Sequence, residues 1–206
     1  MKFKFPKDSF DIARKQVTQI EKDSDFYETM SESEYKTIAT RIKQPKKILE
    51  LGCGLGRMSV FLNWMLRDDK AQYILADSTP DRIPEKVRYG WDPDSGFYND
   101  LAETFDFCRL NGLNNFETFD LKEHKLEKLS NIDLVMSFLS VGFHYPIEMY
   151  MDTLYEITSP SCMMVFGVRR GKYNIESFKH MFSDVDIIEQ PGIDTREDIL
   201  IMENKI

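Results

Sequence analysis

Apolar positions change their spacing several times along the chain, and each change marks an element. Phe10, Ala13, Val17 and Ile20 are three, four and three apart, one face of a helix that starts near Ser9. Ser31, followed three residues later by Glu34, has the form of a capping box. It predicts a second helix carrying Tyr35, Ile38, Ala39 and Ile42 inward, ended by residues 43–47 with Pro45. Both helices precede the first strand, so residues 1–44 are expected to form a lid or outer layer, and residues 45–206 the main domain. From there short apolar runs alternate with helical patterns. Strands are predicted over 48–51, 73–76 (ending at Asp77), 116–119 (ending at Asp120), 132–139 and 163–167. Helices are predicted over 58–66, from about Tyr98 to a stop at Gly112, from Pro146 as an N1 residue, and near 175–182. Residues 78–97 hold Pro80, Pro84, Gly90, Pro93 and Gly96 and read as a long ordered loop or insertion. A closing pair, 185–188 and 199–202, has no helix between its members and predicts an antiparallel last strand. The whole is an α/β pattern, a doubly wound, mostly parallel sheet, without internal repeats or low-complexity tracts.

Composition narrows the partners. The 206 residues suit one domain with a full core, or a domain with a small appendage. A net charge of −8, with dispersed acidic residues and a pI near 5.0, argues against a nucleic-acid footprint. Cys53, Cys108 and Cys162 are odd in number and far apart, as expected of reduced thiols and not of a disulfide framework or a zinc site. The start is too polar for a signal peptide, and the longest apolar stretch, around 134–143, is too short to span a bilayer. A soluble cytoplasmic protein is expected.

The chemistry concentrates at Ile-Leu-Glu-Leu-Gly-Cys-Gly-Leu-Gly-Arg, residues 48–57. Gly52, Gly54 and Gly56 lie in a strand–turn–helix context, where bare backbone and a helix start predict a cofactor pocket. The spacing G-x-G-x-G differs from the dinucleotide fingerprint G-x-G-x-x-G. Arg57 stands where the third dinucleotide glycine would be and would obstruct a pyrophosphate. Glu50 suits a cationic ligand. Asp77, ending the second strand, can accept from two ribose hydroxyls. For Asp120 two readings stand: acceptor from an adenine amino group, or cap of the turn that follows.

On these residues, and on Phe119, Asp120 and Leu121 after the third strand, residues 45–206 resemble the class I S-adenosylmethionine-dependent methyltransferases. The resemblance implies a Rossmann-like, seven-stranded sheet with its last strand antiparallel, and S-adenosylmethionine as cofactor. It implies that the glycine loop, with Cys53 and Arg57, lies along the methionine portion. Asp77 and Ser78 would hold the ribose, Phe119 to Leu121 would flank the adenine, and Ser137 would close the set from strand four.

The acceptor is expected over strand four, where Ser137 to Pro146 read Ser-Phe-Leu-Ser-Val-Gly-Phe-His-Tyr-Pro. His144 is the histidine there, and a neutral imidazole is a good general base near pH 7. The competing reading is a packing or capping histidine at a helix start. Tyr145 would orient the acceptor or close the pocket. This stretch, with Tyr89 to Trp91 and the run 97–105, resembles sugar O-methyltransferases. Tyr89, Trp91, Phe97 and Tyr98 offer aromatic faces for a sugar ring, or else anchor the loop. Arg169 and Arg170 suit an acidic sugar or a nucleotide-linked phosphate, or are surface charge. The expected activity is methyl transfer to a hydroxyl of a sugar or glycan, without a metal. The alternatives are a methyltransferase for another small molecule, or a non-catalytic cofactor-binding partner subunit. The latter would show a degraded glycine loop or a missing strand-two acid, and neither is seen.

Overall fold

The computed structural model describes residues 3–16, 25–79, 99–189 and 196–206. Helix α1 (Lys7–Gln16) and helix α2 (Phe26–Ile38) lead into strand β1 (Lys47–Leu51), helix α3 (Arg57–Leu66) and strand β2 (Gln72–Asp77). Helix α4 (Leu101–Leu110), strand β3 (Phe116–Asp120), strand β4 (Ile132–Ser137) and helix α5 (Glu148–Ile157) follow. Strands β5 (Thr158–Arg169), β6 (Phe182–Glu189) and β7 (Glu197–Lys205) close the chain. The seven strands are ordered β3-β2-β1-β4-β5-β7-β6. The first five are parallel, and β7 is antiparallel to both β5 and β6. The predicted α/β class and the antiparallel close are therefore present.

Alternation along each strand divides the core. Ile48, Tyr73, Leu75, Leu134, Met136 and Val165 face one layer, where they meet Met58, Phe61 and Leu62 of α3 and Phe107 of α4. Phe3, Phe5, Ala13, Tyr27 and Ile38 join that same core, so α1 and α2 lie outside the sheet but on the α3–α4 side of it. Leu49, Leu51, Ile74, Val135, Met164 and Phe166 face the other layer, against Met151, Leu154 and Ile157 of α5.

Four expectations are corrected. Helix α2 begins at Phe26, five residues before the predicted cap. Ser31 is interior: its hydroxyl donates to the Tyr27 carbonyl at 2.8 Å, and Glu34 faces Arg57 and not the helix start. Strand β4 stops at Ser137, because Leu139 takes a left-handed φ of 60° that ends the extended run. Pro146 is not the N1 residue; α5 starts at Glu148, and the carbonyls of Pro146 and Ile147 accept from the N–H groups of Met149 and Tyr150 in its first turn. The helix expected near 175–182 is one 3₁₀ turn, Ile175–Ser177, capped by the Asn174 side chain on Glu176 N–H. Phe182 is already in β6, paired with Lys205. Phe178 and Phe182 are buried, and an apolar spacing of four served the core without a helix. Val17, Ile20 and the insertion with Tyr89, Trp91, Phe97 and Tyr98 lie outside the described residues. Among the described residues no helix is long and apolar enough to cross a membrane.

Candidate active site at the carboxyl edge of the sheet

The turn after β1 is pinned to β2: the N–H groups of Gly52 and Cys53 both donate to the Ala76 carbonyl, at 2.7 and 3.1 Å. Its three glycines have different reasons. A Cβ on Gly52 would lie 1.9 Å from Ser140 Oγ, so the turns after β1 and β4 touch through this residue. A Cβ on Gly56 would lie 2.8 Å from Cys108 Sγ and 3.2 Å from Leu75 Cδ1, which sets the approach of α3 to the sheet and α4. A Cβ on Gly54 would meet nothing within 4 Å, although its φ of 53° favours glycine.

Asp77 organises this side. Its carboxylate accepts from the N–H groups of Gly54 and Ser78, both at 2.8 Å. Burial nevertheless dominates and pushes its carboxyl up to about 6. Asn99 and Thr104, at the start of α4, were not foreseen. Both donate to the Gly54 carbonyl, at 2.8 and 2.7 Å, and Asn99 also reaches Asp77 at 3.5 Å. The signal available was their place one residue before, and four after, the capping residue Asp100.

The other positions that the sequence assigns to the cofactor are held by contacts within the protein. Glu50 is 5% exposed and accepts from the N–H and hydroxyl of Ser59, at 3.1 and 2.5 Å, so it caps the first turn of α3. Its burial pushes its carboxyl up to about 7. The Arg57 guanidinium turns to the N-terminal layer, with a two-pronged bond to Glu34 at 2.7 and 2.9 Å and a third bond to Ser31. Cys53 is buried, and desolvation raises its thiol well above the ordinary range. Phe119 is buried, with Leu121 beside it; Leu121 N–H donates to the Asp77 carbonyl at 2.9 Å. Asp120 does cap its own turn, accepting from Lys122 N–H at 2.8 Å, while its backbone carbonyl takes His124 N–H.

The β4 side begins at Ser137, fully buried, whose hydroxyl accepts from Val141 N–H at 3.0 Å. The Ser140 carbonyl takes the N–H groups of Phe143, His144 and Tyr145, and Gly142 N–H donates to the Tyr145 carbonyl. Arg169 N–H donates to the Gly142 carbonyl at 2.9 Å, tying this turn to the end of β5. His144 is half-buried and lies edge-on to Phe143, with ring centres 5.2 Å apart. His124 and His180 are exposed. Tyr145 is buried, and nearby Tyr150 has its phenol raised by burial and by the fields of Tyr145 and Asp77. Arg169 and Arg170 separate: Arg170 holds Asp198 at 2.6 Å, whereas the Arg169 guanidinium lies over the Phe143 ring, 4.8 Å from its centre. Among the described residues no cluster of three or more His, Cys, Asp or Glu could hold a metal.

Comparison with known proteins gives the fold a context. No protein-family model matches the chain, and no curated protein matches it in sequence. Among solved structures it is similar to a provisionally assigned O-methyltransferase from Nostoc punctiforme PCC 73102, at 10% identity and a TM-score of 0.60. That match covers 90% of this chain but 59% of the Nostoc protein, so this chain spans less than two thirds of its length. It is also similar to a methyltransferase from Geobacter sulfurreducens (14% identity, TM-score 0.57, 98% of this chain and 91% of that one). A third is TYW2 from M. jannaschii, solved with AdoMet (13% identity, TM-score 0.58, 86% and 77%). The architecture, an α/β sheet with the strand order β3-β2-β1-β4-β5-β7-β6, is thus a Rossmann-like fold that these methyltransferase structures share.

Proposed function

We propose that this chain is an S-adenosylmethionine-dependent O-methyltransferase acting on a hydroxyl of a sugar or glycan, with His144 as general base. The observation that carries the reading is the contact at Gly52. Ser140 packs on this glycine, so the Asp77–Gly54 cradle and the His144 turn sit side by side at one edge of the sheet.

The residues present fit the cofactor. Gly54 offers an open backbone face, and each Asp77 oxygen holds one backbone N–H, leaving a lone pair for a ribose hydroxyl. Gly52, Gly54, Gly56 and Cys53 would line the methionine portion; Asp77 and Ser78 the ribose; Phe119, Asp120 and Leu121 the adenine; Ser137 the floor. Glu50 and Arg57 would act through the position of α3, Glu50 on its first turn and Arg57 through Glu34. When bound, S-adenosylmethionine supplies an electrophilic methyl on a sulfonium. His144 would take the acceptor hydroxyl's proton as that oxygen forms its bond to the methyl carbon and the sulfur–methyl bond breaks. Alignment of the two supplies much of the remaining rate. Tyr145 would hold the acceptor, and the 1–44 segment would cap the donor side through the Glu34–Arg57 pair. Tyr89, Trp91 and Tyr98 are proposed sugar contacts on sequence grounds.

The test is incubation of the full chain with methyl-labelled S-adenosylmethionine and a panel of sugars, nucleotide sugars, glycans, amines and other small alcohols, alongside calorimetry of cofactor binding. Label in a sugar hydroxyl supports the reading. Label only in an amine or a non-sugar acceptor replaces the acceptor class. Cofactor binding with no transfer to any acceptor favours a non-catalytic partner subunit.

A further inference from the structure

We infer that the acceptor carries an oxyanion, a carboxylate or a phosphate, and that Arg169 is the residue that binds it. This rests on the methyl-transfer reading for the identity of the edge, and names the substrate class at that edge.

Two arginines follow one another at the end of β5, and the fold gives them opposite fates. Arg170 is neutralised: its guanidinium makes a bidentate pair with Asp198, whose side chain is 1% exposed and also takes the Tyr173 hydroxyl at 3.0 Å. Arg169 forms no ion pair with a carboxylate among the described residues. Its Nε is buried and has no hydrogen-bond partner among them. The guanidinium stacks on Phe143 at 4.8 Å, and Arg196 lies over the same ring at 5.8 Å. Glu197 is the acid nearest in register, opposite Arg169 across β5–β7. Its Oε1 turns against Gly167, where a Cβ would lie 1.9 Å away.

Stacking fixes the plane of a guanidinium while leaving its edge donors to point outward. A buried N–H without a partner is costly, and an incoming oxyanion would remove that cost. Carboxylate and phosphate match the guanidinium fork; a neutral hydroxyl does not. The ring that supports Arg169 is the neighbour of His144, and Arg169 N–H is bonded to the same turn. An anion held there would put the rest of the acceptor beside the imidazole.

The experiment is calorimetric titration of the full chain, saturated with S-adenosylhomocysteine, with glucuronate, glucose 1-phosphate and glucose. Methyl transfer to the same three is measured in parallel. The unsubstituted chain should bind one acidic probe about tenfold or more tighter than glucose; glucuronate or glucose 1-phosphate as the preferred one distinguishes carboxylate from phosphate. Arg169→Gln should abolish that preference, Arg169→Lys should restore part of it, and Arg170→Gln should leave it. Melting curves identify any variant that fails to fold, and Arg169→Lys then carries the comparison through a weakened preference. Equal binding of all three probes, or a preference unchanged in both Arg169 variants, overturns the inference. Failure of the methyl-transfer reading is separate: S-adenosylhomocysteine would not bind, or no acceptor would be labelled, whatever Arg169 did.

Discussion

The two halves of the candidate site are held by different forces. Around Gly54 and Asp77, the shape is a network of short hydrogen bonds in which backbone amides and carbonyls do most of the binding. Around His144, the shape is a stack: an imidazole against Phe143, with two guanidiniums over that ring, from the turn after β4, the end of β5 and the start of β7. A hydrogen-bonded cradle is rigid and tolerates few substitutions, whereas a stack of side chains can change its specificity while the backbone stays in place. Damage to the first half should therefore read in cofactor affinity and stability, and damage to the second in turnover and choice of acceptor.

The sharpest separation is expected from His144→Ala. It should bind S-adenosylmethionine as the unsubstituted chain does, yet lose turnover by ~10²–10⁴-fold. Turnover within a factor of two of the parent would remove the base role. Next come the glycines. Gly52→Ala would drive a methyl into Ser140 and should cost about 2–3 kcal/mol of stability in a denaturant melt. Gly54→Ala has space around it and should cost about 1 kcal/mol, with its main loss in cofactor affinity. Equal stability losses would mean that the contact between the two turns matters less than its geometry implies. Asp77→Ala should weaken cofactor binding by about 1.5–3 kcal/mol by calorimetry; unchanged affinity counts against the ribose assignment.

The smallest effect is one of pH, and it runs in opposite directions for the empty and loaded protein. Burial pushes Asp77 to about 6 and Glu50 to about 7, whereas in an unfolded chain both titrate near ~4. Between about pH 4 and 7 the folded state thus holds protons that the unfolded state has released. Stability of the ligand-free protein should fall as pH rises through that window. Cofactor affinity should rise over the upper part of it, because an ionised Asp77 is the stronger acceptor for ribose hydroxyls. Melting temperatures and calorimetry at several pH values check both slopes. A cofactor affinity that falls from about pH 5 to pH 7 would contradict Asp77 as the ribose ligand.

Legibility in the sequence followed locality. The strand–turn–helix at β1, the acid ending β2 and the antiparallel closing pair all rest on patterns within about a dozen residues, and all are present. Two of the errors share an origin: a local pattern overruled by a partner from elsewhere. Ser31 and Glu34 match a capping box, but Arg57 from α3 claims Glu34, and the helix extends through both. Phe178 and Phe182 have helical spacing, but β7 takes Phe182 into the sheet.

By itself, then, the sequence determined the α/β order of elements, the glycine turn and the acid facing it, because propensity, alternation and turn chemistry act between near neighbours. Only the tertiary structure decided which face of the sheet α1 and α2 cover, and that Asn99 and Thr104 hold the Gly54 carbonyl. It also decided that Arg170 is spent on Asp198 while Arg169 rests on Phe143. Those outcomes depend on burial and on contacts between residues tens of positions apart, and no period in the chain encodes them.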